Sequence, residues 1–251
     1  MTKWTIRLIV ANVAAFVLTQ AVPRLMEMMM LVPAHILERP WTAITYMFMH
    51  AGFTHILFNM LGLYFFGPQV ETELGGTRFL TLYFISGLAG AALSFVFTPP
   101  FEAIVGASGA IFGIFLAFAY FWPRERIYIW GILPIEARWL VVAMTGLSLF
   151  GGFGGVESGV AHFAHLGGFA GAYLYLRWVD RHSRAAILAK SMVPATPAKD
   201  APDRWARIDR EKLHEVNRGE LDRIRMKLAT GGPAGLTRQE IEFLDRFSEQ
   251  Q

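Results

Sequence analysis

An all-α membrane protein is the fold class this sequence predicts: six apolar helices followed by a small, helical, polar tail. Three observations carry that expectation. Of the 251 residues, 54% are hydrophobic, and the mean hydropathy of +0.38 is high for a water-soluble domain. The apolar residues gather into six runs, roughly Trp4–Val22, Phe53–Val70, Arg78–Phe97, Ala107–Trp122, Ala137–Gly152 and Gly159–Val179. The charges crowd outside them. Ten of the 23 Lys and Arg and nine of the 20 Asp and Glu precede residue 183, so the short remainder of the chain holds more than half of both.

The first run lacks a clear small-x-small cleavage site and reads as a retained helix, not a removed signal peptide. The connection Pro23–Gly52 is long enough to need structure of its own, expected as a short interfacial helix with Trp41 as its anchor. The fourth and fifth runs lie at or below the lower limit of about 17 residues for a span, so they are expected inside a bundle or lengthened by their flanks. Gly87-Leu-Ala-Gly90-Ala-Ala and Gly167-Gly168-Phe-Ala-Gly171-Ala172 form small-residue faces of the kind that lets helices approach closely in lipid. Arg124–Arg138, with Tyr128, Trp130 and Pro134, is a short link, and Gly151-Gly-Phe-Gly-Gly155 reads as a loop.

The tail divides from the body near Arg181–Arg184. The expected organisation is a membrane domain over 1–182, a linker over 183–202 carrying Pro194, Pro197 and Pro202, and a helical tail over 203–251. Asp203–Asn217 and Glu220–Ala229 read as helices with an apolar stripe of Leu213, Val216, Leu221, Ile224 and Leu228. Thr237-Arg-Gln-Glu240 is a capping-box pattern before Ile241, Phe243 and Leu244. No chemistry is visible in the tail, and its partner is unknown.

Basic residues set an expected orientation. With the N-terminus in the cytoplasm, Lys3, Arg7, Arg78, Arg124, Arg126, Arg138, Arg177 and Arg181 fall on the cytoplasmic side, and Arg24 and Arg39 outside. Both termini are then cytoplasmic. The second, fourth and sixth runs all travel inward, and each carries polar residues near its start. His55 and Asn59, Ser108, and His162 and His165 would therefore lie at similar depths below the outer surface. Polar residues at such positions are costly in lipid and usually mark a working site.

Those residue types suit acyl transfer. Ser108 lies between Gly106-Ala107 and Gly109, which leave its hydroxyl uncovered. A serine needs a base to take its proton, and His165 or His162 suits that task. His55 and Asn59, four residues apart, share a helix face about 6 Å apart along the axis. With the Ser108 N–H at its helix start they are candidate donors to an oxyanion. Plainer readings exist. His55 and Asn59 serve equally as polar glue between helices, and His162 and His165 as a metal pair joined by His50. Glu102 and Glu157 fall in outer loops, which leaves no buried acid to orient a base, so the unit would be a dyad. The chain has no cysteine, which excludes disulfides and thiolate chemistry. Its net charge of +3 comes with no basic run of the kind that binds nucleic acid.

Together these residues resemble the rhomboid family of intramembrane serine proteases. The matching elements are Gly106-x-Ser108-Gly109, His55-x-x-x-Asn59 and Ala164-His165-Leu-Gly-Gly168, within about Trp4–Arg181. The resemblance implies a six-helix rhomboid-like bundle with Ser108 as nucleophile, His165 as general base, and His55 and Asn59 at the oxyanion. It makes His162 the non-catalytic histidine. Gly75-Gly76 after Glu71 and Glu73 resembles the family's acidic-glycine turn. The chain departs from the bacterial pattern at Trp41-Thr42, where Trp-Arg is frequent. It departs again at Phe112, where a tyrosine commonly packs on the base, and at Ala172, where glycine is usual.

The implied activity is hydrolysis of a peptide bond in or beside a transmembrane segment of another protein, without metal or organic cofactor. The partners are transmembrane substrates and the lipid bilayer, with no nucleic acid. The implied location is the bacterial inner (plasma) membrane, with the site opening to the extracytoplasmic side. Two other classes compete with this one. A non-catalytic rhomboid-like client binder would lack the serine or the base, and both are present. A transporter would want paired charges or broken helices near the midplane, and no run has a charge pair there.

Overall fold

The computed structural model describes residues 1–129, 131–153, 161–192 and 200–249, with the backbone alone at 183–192 and 249. Trp130, Gly154, Gly155, Glu157, Pro194 and Pro197, and the expected start of the sixth run at Gly159, lie outside the described residues. The chain divides into two compact units, Met1–Trp178 and Val179–Gln251.

In the first unit the apolar runs are helical. Helices α1 (Lys3–Ala21), α4 (Phe53–Leu74), α5 (Gly76–Phe97), α6 (Ser108–Phe121), α7 (Ala137–Phe153) and α8 (His162–Met192) correspond to the six runs. Two of them, α1 and α5, are long and apolar enough by composition to cross a membrane, while α6 and α7 are shorter apolar helices. The first connection holds α2 (Pro23–Met29), a 3₁₀ turn at Pro33–His35 and α3 (Thr42–Thr45). Three side chains stitch it together. Arg39 Nη1, Trp41 Nε1 and Thr45 Oγ1 donate to the successive carbonyls of Glu27, Met28 and Met29 at 3.1, 3.0 and 2.8 Å. These are carbonyls at the end of α2 that the helix itself cannot satisfy. Leu31 pairs with Ile104 as an isolated antiparallel bridge, tying this connection to the segment before α6.

The helices meet through small residues. A methyl group at Gly90 would lie 2.7 Å from the Ala164 carbonyl oxygen. One at Gly171 would lie 2.6 Å from Ala89 Cβ. Methyl groups at Gly167 and Gly168 would collide with the carbonyls of Ala89 and Gly109. The two small-residue faces thus do pack, α8 on α5, and α8 also crosses α6. Ala172 is fully buried against Gly113 of α6, so its methyl group fits at this crossing.

At the opposite end of α4 from His55, Glu71 is buried and accepts from the Trp4 and Thr5 N–H groups at 3.0 and 2.8 Å and from the hydroxyls of Thr2 and Thr5. A carboxylate from α4 thus caps the first turn of α1, where unpaired N–H groups and the helix dipole favour negative charge. Gly75, at φ +78°, turns the chain into α5.

Three expectations are corrected here. The Arg124–Arg138 link is an antiparallel hairpin, β1 (Arg126–Ile129) with β2 (Leu133–Glu136), in register Arg126↔Glu136 to Ile129↔Leu133. Gly151–Phe153 continue α7, since nothing there forbids another helical turn. Helix α8 runs on to Met192, through part of the expected linker, because no proline interrupts it before Pro194.

The second unit, after that helix, holds α9 (Ala201–Ala206), a 3₁₀ turn at Arg210–Lys212, α10 (Glu215–Gly231) and α11 (Arg238–Glu249). The expected helix Asp203–Asn217 is therefore broken. Asp209 caps the 3₁₀ turn through Glu211 N–H, and His214 Nδ1 accepts from Val216 N–H at the start of α10. Trp205, Ile208, Leu213, Leu221, Ile224, Leu236, Ile241 and Leu244 form its core. Val216 drops out of the expected stripe: it stands in the first turn of α10, 77% exposed. The capping box is present in both directions, Thr237 N–H to Glu240 at 2.7 Å and Glu240 N–H to Thr237 Oγ1 at 3.4 Å.

Candidate active site

Helix α6 begins at Ser108 because the residues before it form a special turn. Gly106 takes φ +122°, a conformation L side chains rarely adopt. A Cβ there would also lie 2.6 Å from His55 Nε2, so glycine is required twice over. The Gly106 N–H donates to the Tyr46 carbonyl at 2.9 Å. The Tyr46 hydroxyl donates to the Gly87 carbonyl at 2.8 Å, which fixes the turn against α5.

His165 sits on the first turn of α8, nearly buried, with Nε2 2.8 Å from Ser108 Oγ. With the ring proton on Nδ1, Nε2 accepts from the serine hydroxyl. The Phe112 ring, one turn into α6, stacks on the imidazole at 4.0 Å between centroids and 18° between planes. The approach of α8 to α6 is set by two glycines. Gly168 has no room for Cβ against the Gly109 carbonyl, and a Cβ at Gly109 would lie 3.0 Å from the Ala164 carbonyl oxygen. His162 stands edge-on to His165, 6.4 Å away, with its ring over Gly151 at the end of α7.

His55 Nδ1 accepts from the Ala51 N–H at 3.4 Å. A neutral ring that accepts at Nδ1 carries its proton on Nε2, and Nε2 is the atom beside Gly106. Asn59 spends one amide hydrogen on the His55 carbonyl at 2.8 Å and keeps the other. His50 is fully buried, edge-on to His55 at 5.1 Å.

A cavity of about 640 Å³ opens on this group. Ser108, His165, His55 and Asn59 all line it, while His162 does not. Its walls are mostly apolar, including Phe58, Ile111, Phe112, Phe115 and Met144. Glu102, expected solvated in an outer loop, is exposed and also lines the cavity. Among the described residues, no three His, Cys, Asp or Glu side chains are grouped to hold a metal ion.

The structure thus brings together Ser108, His165, Phe112, His55 and Asn59 around the Gly106 turn. Sequence reasoning missed Tyr46 and Glu102. A lone tyrosine in a connecting loop carries no periodicity, and a glutamate after two prolines reads as solvated.

The rhomboid domain family matches residues 37–181 of the chain. RHOMBOID-like protein 4 of Arabidopsis thaliana is 38% identical over 138 residues, 55% of this chain and 33% of its own. Rhomboid protease GluP of Bacillus subtilis (strain 168) is 35% identical over 133 residues, 53% of this chain and 25% of its own. RHOMBOID-like protein 2 of Arabidopsis thaliana is 38% identical over 130 residues, 51% of this chain and 39% of its own. The matches therefore span well under half the length of these relatives. With more than half of its residues matched by the family, including every residue of the site, the chain belongs to the rhomboid family of integral membrane proteins.

Proposed function

We propose that the chain is a serine endopeptidase that hydrolyses peptide bonds in or near transmembrane segments of other proteins, with Ser108 and His165 as a dyad. The observation that supports this reading best is the 2.8 Å approach of His165 Nε2 to Ser108 Oγ inside a cavity also lined by two side-chain donors. Ser108 Oγ attacks the scissile carbonyl while His165 Nε2 takes its proton. Negative charge on the carbonyl oxygen is met by the Nε2–H of His55, the free amide hydrogen of Asn59 and the Ser108 N–H at the start of α6. The imidazolium returns its proton to the departing amine, and the acyl-serine is then hydrolysed by water activated at the same nitrogen. Phe112 holds the imidazole plane, a task that needs a ring face and no hydroxyl.

In the same reading the six helices α1 and α4 to α8 are six membrane spans over residues 1–182, both termini are cytoplasmic, and the cavity faces the extracytoplasmic side of an inner membrane. The tail is a separate cytosolic unit. The test is cleavage of single-span membrane substrates by the purified chain, with Ser108→Ala and His165→Ala compared to native. Each should lose essentially all activity while keeping the native unfolding temperature, and the double substitution should cost little more. His162→Ala should stay active. Cleavage by well-folded Ser108→Ala protein would overturn the assignment, and a native chain that binds such segments without cutting them would place it among non-catalytic client binders.

A further inference from the structure

The cavity that holds Ser108 and His165 carries one carboxylate. Glu102 lines it, and among the described lining residues there is no other acid and no lysine or arginine. Ser108, His165, His55, Asn59 and Thr54 supply the remaining polar side chains, and the rest of the wall is apolar. Beside low-dielectric walls the field of a carboxylate reaches inward with less screening than on an open surface.

Glu102 is placed by its backbone and leaves its side chain unspent. Its N–H donates to the Pro99 carbonyl at 3.0 Å. Two residues on, Ile104 is buried and exchanges both backbone hydrogen bonds with Leu31, at 3.0 and 2.8 Å. Gly106 is tied to the Tyr46 carbonyl in turn. The Glu102 side chain is exposed, and among the described residues no ion pair or hydrogen bond engages it. The turn Pro33–His35 packs alongside, with the Ala34 N–H on the Pro100 carbonyl at 2.8 Å. The basic groups there are committed elsewhere. His35 meets Glu38 at 3.3 Å, and Arg39 Nη1 donates to the Glu27 carbonyl. From Glu102 to the Gly106 turn the chain can extend at most about 13 Å.

We propose that Glu102 is a specificity-determining residue, which selects substrate segments carrying Lys or Arg close to the scissile bond and rejects those carrying Asp or Glu there. An extended segment crossing Ser108 covers the distance to Glu102 within about four residues. A lysine or arginine at that spacing lays its apolar stem along the cavity wall and brings its charged head to the carboxylate. A neutral residue gains nothing from that group. An acidic one meets a like charge with no cation lining the cavity to offset it, so the same group supplies both the attraction and the repulsion that discrimination needs. The inference rests on the protease reading and adds to it the chemistry of the segment that is cut.

The test is a charge scan. A single-span substrate is given Lys, Gln or Glu singly at each of the nearest positions on either side of the scissile bond, and kcat/KM is measured with the full chain in detergent. At one or two neighbouring positions the order should be Lys above Gln above Glu, spanning about tenfold at low salt and narrowing as salt is raised. Glu102→Gln should remove the order, Glu102→Lys should reverse it, and Glu102→Asp, which keeps the charge, should preserve it. The same order in native and Glu102→Gln proteins, or no order at any position, would overturn the proposal. Failure of the protease reading is read separately. With the full chain carrying Ser108→Ala, the same segments, fluorescently labelled, are titrated by anisotropy, where no cutting is needed. The Lys segment should bind several-fold tighter than the Glu segment, and adding Glu102→Gln should erase the difference. A chain that cuts nothing yet shows this difference loses the protease reading and keeps Glu102 as the selector. One that cuts with no charge order in rate or binding does the opposite.

Discussion

The two units of this chain bury polar groups in opposite ways. In the first, the site is surrounded by glycine and alanine contacts so tight that α8 meets α6 backbone to backbone at Gly168 and Gly109. Its buried polar side chains are mostly hydroxyls, amides and imidazoles, and several donate to backbone carbonyls, as Asn59 and Tyr46 do. In the second, the core is made of large side chains around Trp205, and the polar groups are charges. Glu240, nearly buried, accepts from Arg223 and Lys227 at 2.9 Å each. Arg210 grips Asp222 with two nitrogens, and Trp205 Nε1 donates to Asp245. On the proposed reading, with the first unit in lipid and the second in water, the solvent explains the contrast. Lipid offers apolar helices no gain for leaving it, so association depends on close fit. Water rewards apolar burial of any shape and tolerates charge networks at the edge of the core.

The sharpest way to break the comparison is to add one methyl group to each unit. Gly168→Ala drives Cβ into the Gly109 carbonyl, and backbone cannot rotate away. It should cost about 3 kcal/mol and most of the activity, since it moves His165 off Ser108. Gly219→Ala, in open space inside α10, should instead stabilise the second unit by about 0.5–1 kcal/mol. Thermal unfolding in detergent reads the first, and amide exchange across Leu221–Leu228 in the full chain reads the second. Equal effects of one sign would refute the contrast.

Next in size is Glu240. Burial by itself would raise its pKa, but the Thr237 N–H, Lys227 and Arg223 outweigh that and hold it at about 2. A depressed carboxylate adds stability above its unfolded pKa of about 4.3, and that stability drains away as pH falls toward 2. Glu240→Gln should therefore destabilise the second unit by about 2 kcal/mol at neutral pH, discounted for its partly exposed partners. The gap between variant and native should close below pH 4 and vanish near pH 2. A gap independent of pH would mean that the capping geometry, not the charge, is what matters. Smaller still is Phe112→Ala, which removes the face under His165 and leaves the 2.8 Å contact unsupported. Ring stacking of this kind is worth about 0.5–1.5 kcal/mol, so turnover should fall about fivefold with substrate affinity unchanged. Phe112→Tyr should restore it.

How much of this was legible differs between the units for the same reason. Helix starts, the placement of Ser108 and His165 in the first turns of α6 and α8, and the small-residue faces follow from hydrophobic runs and repeated polar positions, which lipid makes strict. The approach of His165 to Ser108 was not readable as a distance, because it depends on Gly168 meeting Gly109 across helices far apart in sequence. Nor was Tyr46, whose two bonds reach Gly87 and Gly106 from an irregular connection. The β-hairpin was hidden by Pro134 and a Trp-Gly pair that read as loop. In the second unit the stripe gave Leu213, Leu221 and Ile224 correctly, but the break after α9 comes from Asp209 and His214 caps, which one helical period cannot reveal.

The smallest effect expected is none at all. Every residue lining the cavity falls between Ala51 and His165, inside the first unit. The dyad, the Gly106 turn, Phe112 and the glycine crossing are likewise complete before Trp178. The second unit has its own core and its own capping box. Deleting residues 193–251, which leaves α8 whole to Met192, should change neither the rate of cleavage of a membrane substrate in detergent nor the unfolding temperature of the first unit. The measurement is a cleavage time course of full-length and shortened proteins at matched concentration. Two outcomes are informative in different ways. A shortened protein that unfolds early would show that the first unit leans on the second for stability. One that keeps its unfolding temperature but cannot cut would show that the charged unit takes part in the chemistry, and the opposition drawn between the two would fail.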